Sequence, residues 1–221
     1  RDAANEPLRP LTQQFWQTSH FEGYCTSLNY FLNKVEPMAK EGWCVWITGL
    51  PGSGKSIVSK ALLKQLEKEG ILAQLLSSDA LRKVMTPHAT CSLEERDAVY
   101  DTLVYIASLL TSNGVNVVID ATGNLRRYRE NARKQIPRFI EAYLKCPLEV
   151  CIKREASRKK TFHAPRGIYS KAKENKATTV PGIGQPYEPS PKPELTIDAW
   201  KQPPAECARK IFQKILEIQS H

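Results

Sequence analysis

The chain has 221 residues, 41% hydrophobic and 25% charged, the composition of an ordinary globular protein. That length suits one large domain, or one domain with appendages. Wholesale disorder is excluded, and so is a membrane-spanning helix, because no apolar run approaches the roughly 20 residues a span needs. Lys and Arg number 32 against 23 Asp and Glu, a net charge of +9, so polyanions are the expected partners: nucleic acid, anionic lipid or phosphorylated small molecules.

Residues 1–41 read as an N-terminal extension, polar and irregular at first, then weakly helical through Leu28, Phe31, Leu32 and Val35. The absence of a Met at Arg1 fits a fragment or a processed chain. From Gly42 to the end the pattern is that of one domain. Trp43 to Ile47 is a continuous apolar run, as a strand buried on both faces requires. A Gly-rich turn follows, and then Val58, Leu62 and Leu66 mark a helix ending near Gly70. Ile71–Leu76 is the second expected strand. Val99, Leu103, Ile106 and Leu110 mark a long helix closed by Gly114. Val115–Ile119, Phe139–Leu144 and a short Leu195–Ile197 are further strands. A basic helix lies near Arg126 to Ile136, and Ile211, Ile215 and Ile218 line a C-terminal helix. Strands alternating with helices imply an α/β fold, a parallel sheet flanked by helices, with ligands at the carboxyl ends of the strands.

The turn after the first strand carries the chemistry. Gly49-Leu50-Pro51-Gly52-Ser53-Gly54-Lys55-Ser56 fits G-x-x-x-x-G-K-[ST], the phosphate loop. The glycines let successive backbone N–H groups face a phosphate, and the following helix adds its N-terminal partial charge. Lys55 supplies a point charge near the β- and γ-phosphates, and Ser56 a hydroxyl for Mg²⁺. ATP and Mg²⁺ are therefore the expected cofactors. No N-K-x-D guanine signature is present, and the domain is short for an oligomeric ATPase. Between Cys151 and Lys176 there are nine basic residues and two acidic ones, most of the chain's excess charge. This stretch follows the fourth strand, where small-molecule kinases close a basic lid over the donor phosphates; the lid is expected at about 152–190. Charge gathered in a lid argues against nucleic acid as the partner, and no basic stripe interleaved with aromatics is present. The six cysteines form no C-x-x-C pair and no His stands at zinc-ligand spacing, so reduced thiols in a cytoplasmic protein are expected.

Beyond the loop, the ordered motifs resemble the adenylylsulfate kinase family. Gly42 to Gly49 is similar to its opening strand. Asp79-Ala80-Leu81-Arg82 resembles the second half of its D-G-D-N-[VI]-R motif, and Pro147-Leu148-Glu149-Val150-Cys151 its P-L-E-V-C segment. Gly167 to Ala172 resembles its G-L-Y-x-K-A lid motif. Pro186-Tyr187-Glu188-Pro189 and Pro193-Glu194-Leu195 resemble its ending. The resemblance implies a P-loop kinase that moves the ATP γ-phosphoryl group to the 3′-hydroxyl of adenylyl sulfate, a small-molecule nucleotide acceptor, in a family where homodimers are common. It implies roles for Lys55, Asp79 and Lys171 in catalysis, and for Arg154 beside the phosphate loop at the ATP base and phosphates. Arg82, Arg96, Cys91, Val180, Gly182 and Ile183 are the implied acceptor contacts. Ser56, Asp79 and Asp120 are the expected metal-site residues.

The departures fall at the acceptor end. Ser77 and Ser78 replace the first Asp and the Gly of D-G-D, and Val99 aligns with an acceptor-contacting Asn. Cys91 and Val180 align with the two aromatic residues that clamp the acceptor adenine, and the lid carries an insertion around Arg158 to Ala164. Asp120 opens Asp120-Ala121-Thr122-Gly123-Asn124, which is more like other small P-loop kinases. These departures leave other readings open. The acceptor is another nucleotide-linked anion, such as a cytidine-linked phosphoramidate; the chain is a polynucleotide-binding P-loop protein; or it binds nucleotide without turning it over. For Asp79 the alternative to catalysis is a helix N-cap, for Asp120 a loop cap, and for Arg82 and Arg96 surface ion pairing. Arg126, Arg127, Arg129 and Arg133 alternatively form a solvated helix face.

Overall fold

A computed structural model describes residues 41–86, 92–158, 167–174 and 179–219. The expected helix around Leu28 to Val35, the acceptor candidate Cys91 and the expected insertion, apart from Arg158, lie outside these residues. The elements are β1 (Cys44–Thr48), α1 (Lys55–Lys68), β2 (Ala73–Ser77), α2 (Ser78–Met85), α3 (Leu93–Ser112), β3 (Asn116–Asp120) and α4 (Arg126–Gln135). They continue with β4 (Phe139–Lys145), α5 (Leu148–Ser157), α6 (Ile168–Lys173), β5 (Leu195–Asp198) and α7 (Pro204–Gln219). The five strands form one parallel sheet in the order β2-β3-β1-β4-β5.

Strand β1 is central and buried throughout, as its unbroken apolar run requires. Trp43, Val45 and Ile47 join Val58, Leu62 and Leu66 of α1 and Ile211 and Ile215 of α7 on one face of the sheet. Cys44 and Trp46 alternate to the other face and pack with Tyr100, Leu103 and Val104 of α3 and Tyr128 of α4. Two strands begin later than the apolar pattern suggests, for one physical reason. Helices α1 and α3 both end on a glycine with positive φ, Gly70 (71°) and Gly114 (79°). The next amide then turns back: Ile71 N–H donates to Leu66 O at 2.9 Å and Val115 N–H to Leu110 O at 3.0 Å. Ile71 and Val115 thus close helices before any strand begins. Helices α2, α5 and α6 were not legible in the sequence pattern; α2 buries only Ser78 and α5 only Cys151 and Glu155.

The reading of α4 as a solvated basic face requires correction. Arg129 is fully buried and its Nε donates to Glu141 Oε1 at 2.8 Å, with both side chains out of solvent. Its Nη groups donate to the carbonyls of Gly123 and Glu188. Arg133 donates to Glu194 Oε2 at 2.9 Å, and Glu194 accepts the backbone N–H of Glu141 at 2.7 Å. The Arg126 N–H donates to Glu188 Oε2 at 2.8 Å. Helix α4 is therefore a clasp that fastens residues 186–194 along β4. Only Arg127, paired with Asp97 at 2.6 Å, stands in solvent as expected.

Truncating Glu141 would leave a buried guanidinium without its counter-charge, a loss of about 3–5 kcal/mol. Denaturant unfolding of Glu141→Ala should show that drop; a loss under about 1 kcal/mol would mean the pair is solvated.

Candidate active site

All five strands point their carboxyl ends to one edge, and the candidate site is built there from the loops that follow β1, β2 and β3. The phosphate loop leaves β1 at Gly49. Its glycines are required by the space around them. A Cβ on Gly49 (φ +142°) would lie 2.6 Å from Leu144 O, and one on Gly52 (φ +82°) 2.4 Å from Cys151 O. The loop is thereby pressed onto β4 and α5. Gly54 (φ +106°) caps α1, and the space a Cβ there would take is open. Next to it, the first N–H groups of α1 have no partner within the helix. An anion would meet free backbone donors and a helix N-terminus at that point.

Lys55 is 9% exposed, and its Nζ donates to the loop carbonyls of Gly49 (3.0 Å) and Leu50 (3.1 Å). Burial holds its ammonium below the ordinary lysine range, while the carboxylates of Asp120 and Asp79 act in the opposite direction. Asp120 is shifted the other way: burial raises its carboxyl, while Lys55 and a hydrogen bond with Ser56 lower it. Lys55, Ser56, Asp79 and Asp120 thus interact in one cluster. In the β2–β3 ladder Ser77 is the direct partner of Asp120, and in the β1–β3 ladder Ile47 is. Asp120 is therefore the acid at the rim of the sheet, one strand from the loop.

The cap at the start of α2 is Ser77, whose Oγ accepts the N–H of Ala80 at 3.4 Å. Asp79 does not cap the helix; it stands half-buried in the first turn, and its charge acts on Lys55 and Asp120. The hydroxyl of Ser56 and the carboxylate of Asp120 form an all-oxygen pair of the kind Mg²⁺ takes, so the residues present fit that ion. Among the described residues no group of three or more His, Cys, Asp and Glu side chains stands ready as a metal cage.

The remaining candidates separate into two flanks. Arg82 lies 5.8 Å over the Tyr100 ring. Arg96 donates to Asn124 Oδ1 (3.4 Å) and to Thr179 O (3.0 Å), tying α3 to the end of the lid. On the opposite flank Arg154 donates to Ser53 O (3.4 Å) and Ala199 O (3.3 Å), bridging the phosphate loop to the turn after β5. Tyr169, in the lid motif, is buried and its hydroxyl donates to Pro51 O at 2.8 Å. Lys171 is on the same short helix, α6, and is exposed. Val180 is buried with Cys146, Cys151, Tyr169 and Ala172 in an apolar cluster against Leu50. Gly182 (φ +95°) turns beside Leu50 and Leu148, and Ile183 is exposed. Sequence reasoning missed two anchors, Thr48 and Tyr187. Thr48 Oγ1 donates to Thr122 O at 2.6 Å and lies 3.0 Å from the Tyr187 hydroxyl. Thr48 opens toward the loop and Tyr187 sits within a motif, so position was the available signal. The four described cysteines are free thiols, all buried.

A parallel sheet in this order, with a phosphate loop after the central strand and a lysine–carboxylate cluster beside it, defines a P-loop kinase. Comparison with known proteins narrows the class. The adenylylsulphate kinase family profile matches residues 41–198. A probable adenylyl-sulfate kinase of Pyrococcus abyssi is 35% identical over 178 residues, covering 80% of this chain and 97% of that protein. The adenylyl-sulfate kinase of Rippkaea orientalis is 33% identical, covering 82% and 95%. Among solved structures, the APS kinase of Mycobacterium tuberculosis in complex with AMPPNP and APS superposes with a TM-score of 0.69 at 31% identity, covering 80% of this chain and 98% of that one. The chain belongs to the adenylylsulphate kinase family.

Removing the Lys55 charge should cost on the order of 3 kcal/mol of transition-state stabilisation, about a hundredfold in rate. Single-turnover kinetics of Lys55→Ala measure this; a wild-type rate would place the transferring phosphate elsewhere.

Proposed function

We propose that the protein transfers the γ-phosphoryl group of ATP to the 3′-hydroxyl of adenylyl sulfate, giving 3′-phosphoadenylyl sulfate. The observation that carries this reading is the cluster of Lys55, Ser56, Asp79 and Asp120 at the mouth of the phosphate loop, in a chain whose family match spans residues 41–198. Phosphoryl transfer asks mainly for positioning and charge neutralisation. The loop amides and Lys55 hold the β- and γ-phosphates. Ser56 and Asp120 would hold Mg²⁺, which when bound neutralises charge between those phosphates. Asp79 faces the same point from the β2 side; its role is to orient the acceptor hydroxyl and take its proton. Arg82 and Arg96 stand on that flank as forks for the acceptor's anionic group. Lys171 adds charge from the lid. The buried free thiols support a reducing, cytoplasmic setting, and the family resemblance supports a homodimer.

A second reading keeps the reaction and changes the acceptor. Val180 is committed to the apolar cluster behind the loop, and Tyr100 is committed to a buried ladder, 4.2 Å from Tyr128 and 6.1 Å from Trp46. Neither supplies a free aromatic face for an adenine. Steady-state kinetics separate the readings. With adenylyl sulfate, kcat/KM of about 10⁴ M⁻¹s⁻¹ or more is expected. A much lower value, exceeded by a cytidine-, uridine- or guanosine-linked acceptor, would favour the second reading.

The ladder pairing of Ser77 with Asp120 yields a further expectation. Asp120→Ser should lose most Mg²⁺-dependent ATP binding. Adding Ser77→Asp should return part of it, because the carboxylate reappears one strand away and Asp caps α2 as well as Ser does. Calorimetric titration of ATP with and without Mg²⁺ reads both effects; a double variant no better than Asp120→Ser would show that the two positions are not interchangeable.

A further inference from the structure

The donor side of the site contains an aromatic residue that the catalytic cluster does not use. Phosphoryl transfer is in line: the attacking hydroxyl and the leaving β-phosphate lie on opposite sides of the γ-phosphorus. Asp79, Arg82 and Arg96, the side chains proposed to meet the acceptor hydroxyl and its anionic group, follow β2, on one side of the phosphate loop. With the strand order β2-β3-β1-β4-β5, the nucleoside of the donor must then run toward the other side, over β4 and β5. Arg154 marks that path, since one guanidinium joins Ser53 O of the loop to Ala199 O after β5. The next residue is Trp200. It is 44% exposed, whereas Trp43 and Trp46 are fully buried. Lys201 Nζ lies 5.0 Å over one face of its ring, so a base would stack on the opposite face. A lone exposed apolar side chain needs no explanation. A half-exposed tryptophan next in the chain to the residue that Arg154 bonds, on the flank a nucleoside must take, is a different case.

We propose that Trp200 is the stacking surface for the base of the donor nucleotide, beside Arg154. The proposal rests on ATP as the donor and deepens that reading by naming what holds the base. Base–aromatic stacking tolerates any base because each has a π-face. Trp200 therefore contributes donor affinity without selecting adenine over guanine.

The test compares ATP with inorganic tripolyphosphate, which has the phosphates and no base, on the wild type, Trp200→Ala and Trp200→Phe. Calorimetry should show ATP bound about tenfold more weakly by Trp200→Ala, with Trp200→Phe within about threefold of wild type. Tripolyphosphate affinity should be the same in all three, which also shows that the variants are folded. GTP should weaken in parallel with ATP, and the KM for the acceptor should stay within about twofold. Quenching of tryptophan fluorescence by ATP should disappear in Trp200→Ala. Unchanged ATP affinity in Trp200→Ala, or an equal loss for tripolyphosphate, would overturn the assignment. A wild type that binds tripolyphosphate but gains nothing from the base would also overturn it. Failure of the wild type to bind either ligand would instead remove the donor reading itself.

Discussion

A buried ammonium is expensive unless its charge is met. Lys55 is such a group, and much of the site is arranged around it. The carbonyls of Gly49 and Leu50 accept its protons, while Asp120 and Asp79 supply the opposing charge. For the carbonyls to turn inward, the loop must curl tightly against Leu144 and Cys151, where no side chain fits at positions 49 and 52. For the carboxylates to reach, β2 and β3 must end level with β1. The parallel register does this, pairing Ile47 with Asp120 and Asp120 with Ser77. Burial pulls the Lys55 ammonium down and the two carboxylates push it back up, through contacts that a phosphate can replace. An incoming anion meets a side chain already withdrawn from water, where electrostatic contacts are worth more.

The second buried charge, Arg129, does structural work of a different kind. Its partner Glu141 projects from β4, and its remaining donors go to backbone carbonyls of Gly123 and Glu188. One guanidinium thereby fixes the loop after β3 against the last residues of the expected lid. Tyr187 lies in that segment, with Arg129 5.4 Å over its ring, and it meets Thr48 at the foot of the phosphate loop. The clasp and the catalytic cluster are connected through this contact, so the end of the lid is registered to the loop by buried polar groups rather than by apolar packing alone.

The chain's periodicity carried the sheet, helices α1, α3 and α7 and the phosphate loop, because each rests on a local rule: continuous burial, a helical repeat, or glycine spacing. Asp79, Asp120 and Lys55 were legible as candidates, but their convergence was not; it depends on β2 and β3 lying beside β1, which no local pattern states. Helices α2 and α5 escaped because they bury too few apolar residues to show a period, and α6 because six residues are too short for one. The four arginines of α4 misled for the opposite reason. Sequence shows charge, and only the fold shows that Arg129 faces inward to a glutamate 12 positions away. Trp200 carried no motif at all, and its setting appears only once Arg154 is seen to bridge the loop to the β5 turn.

The arrangement also explains why divergence in this chain falls where it does. Donor-side groups are fixed by backbone: loop glycines without room for a Cβ, a lysine bonded to carbonyls, an arginine bonded to two more. Changing any of them disturbs the sheet edge itself. The groups proposed for the acceptor, Asp79, Arg82 and Arg96, are side chains on α2 and the first turns of α3. Ser77 illustrates the freedom this gives. At the end of β2 it needs only to cap α2, which a hydroxyl does as well as a carboxylate, provided that an acid is supplied nearby. Asp120, its ladder partner, lies where such an acid would have to be. In the proposed assignment, the phosphate chemistry is therefore constrained by main-chain geometry that tolerates little change, whereas the choice of acceptor rests on side chains that can be exchanged across one strand without moving the backbone.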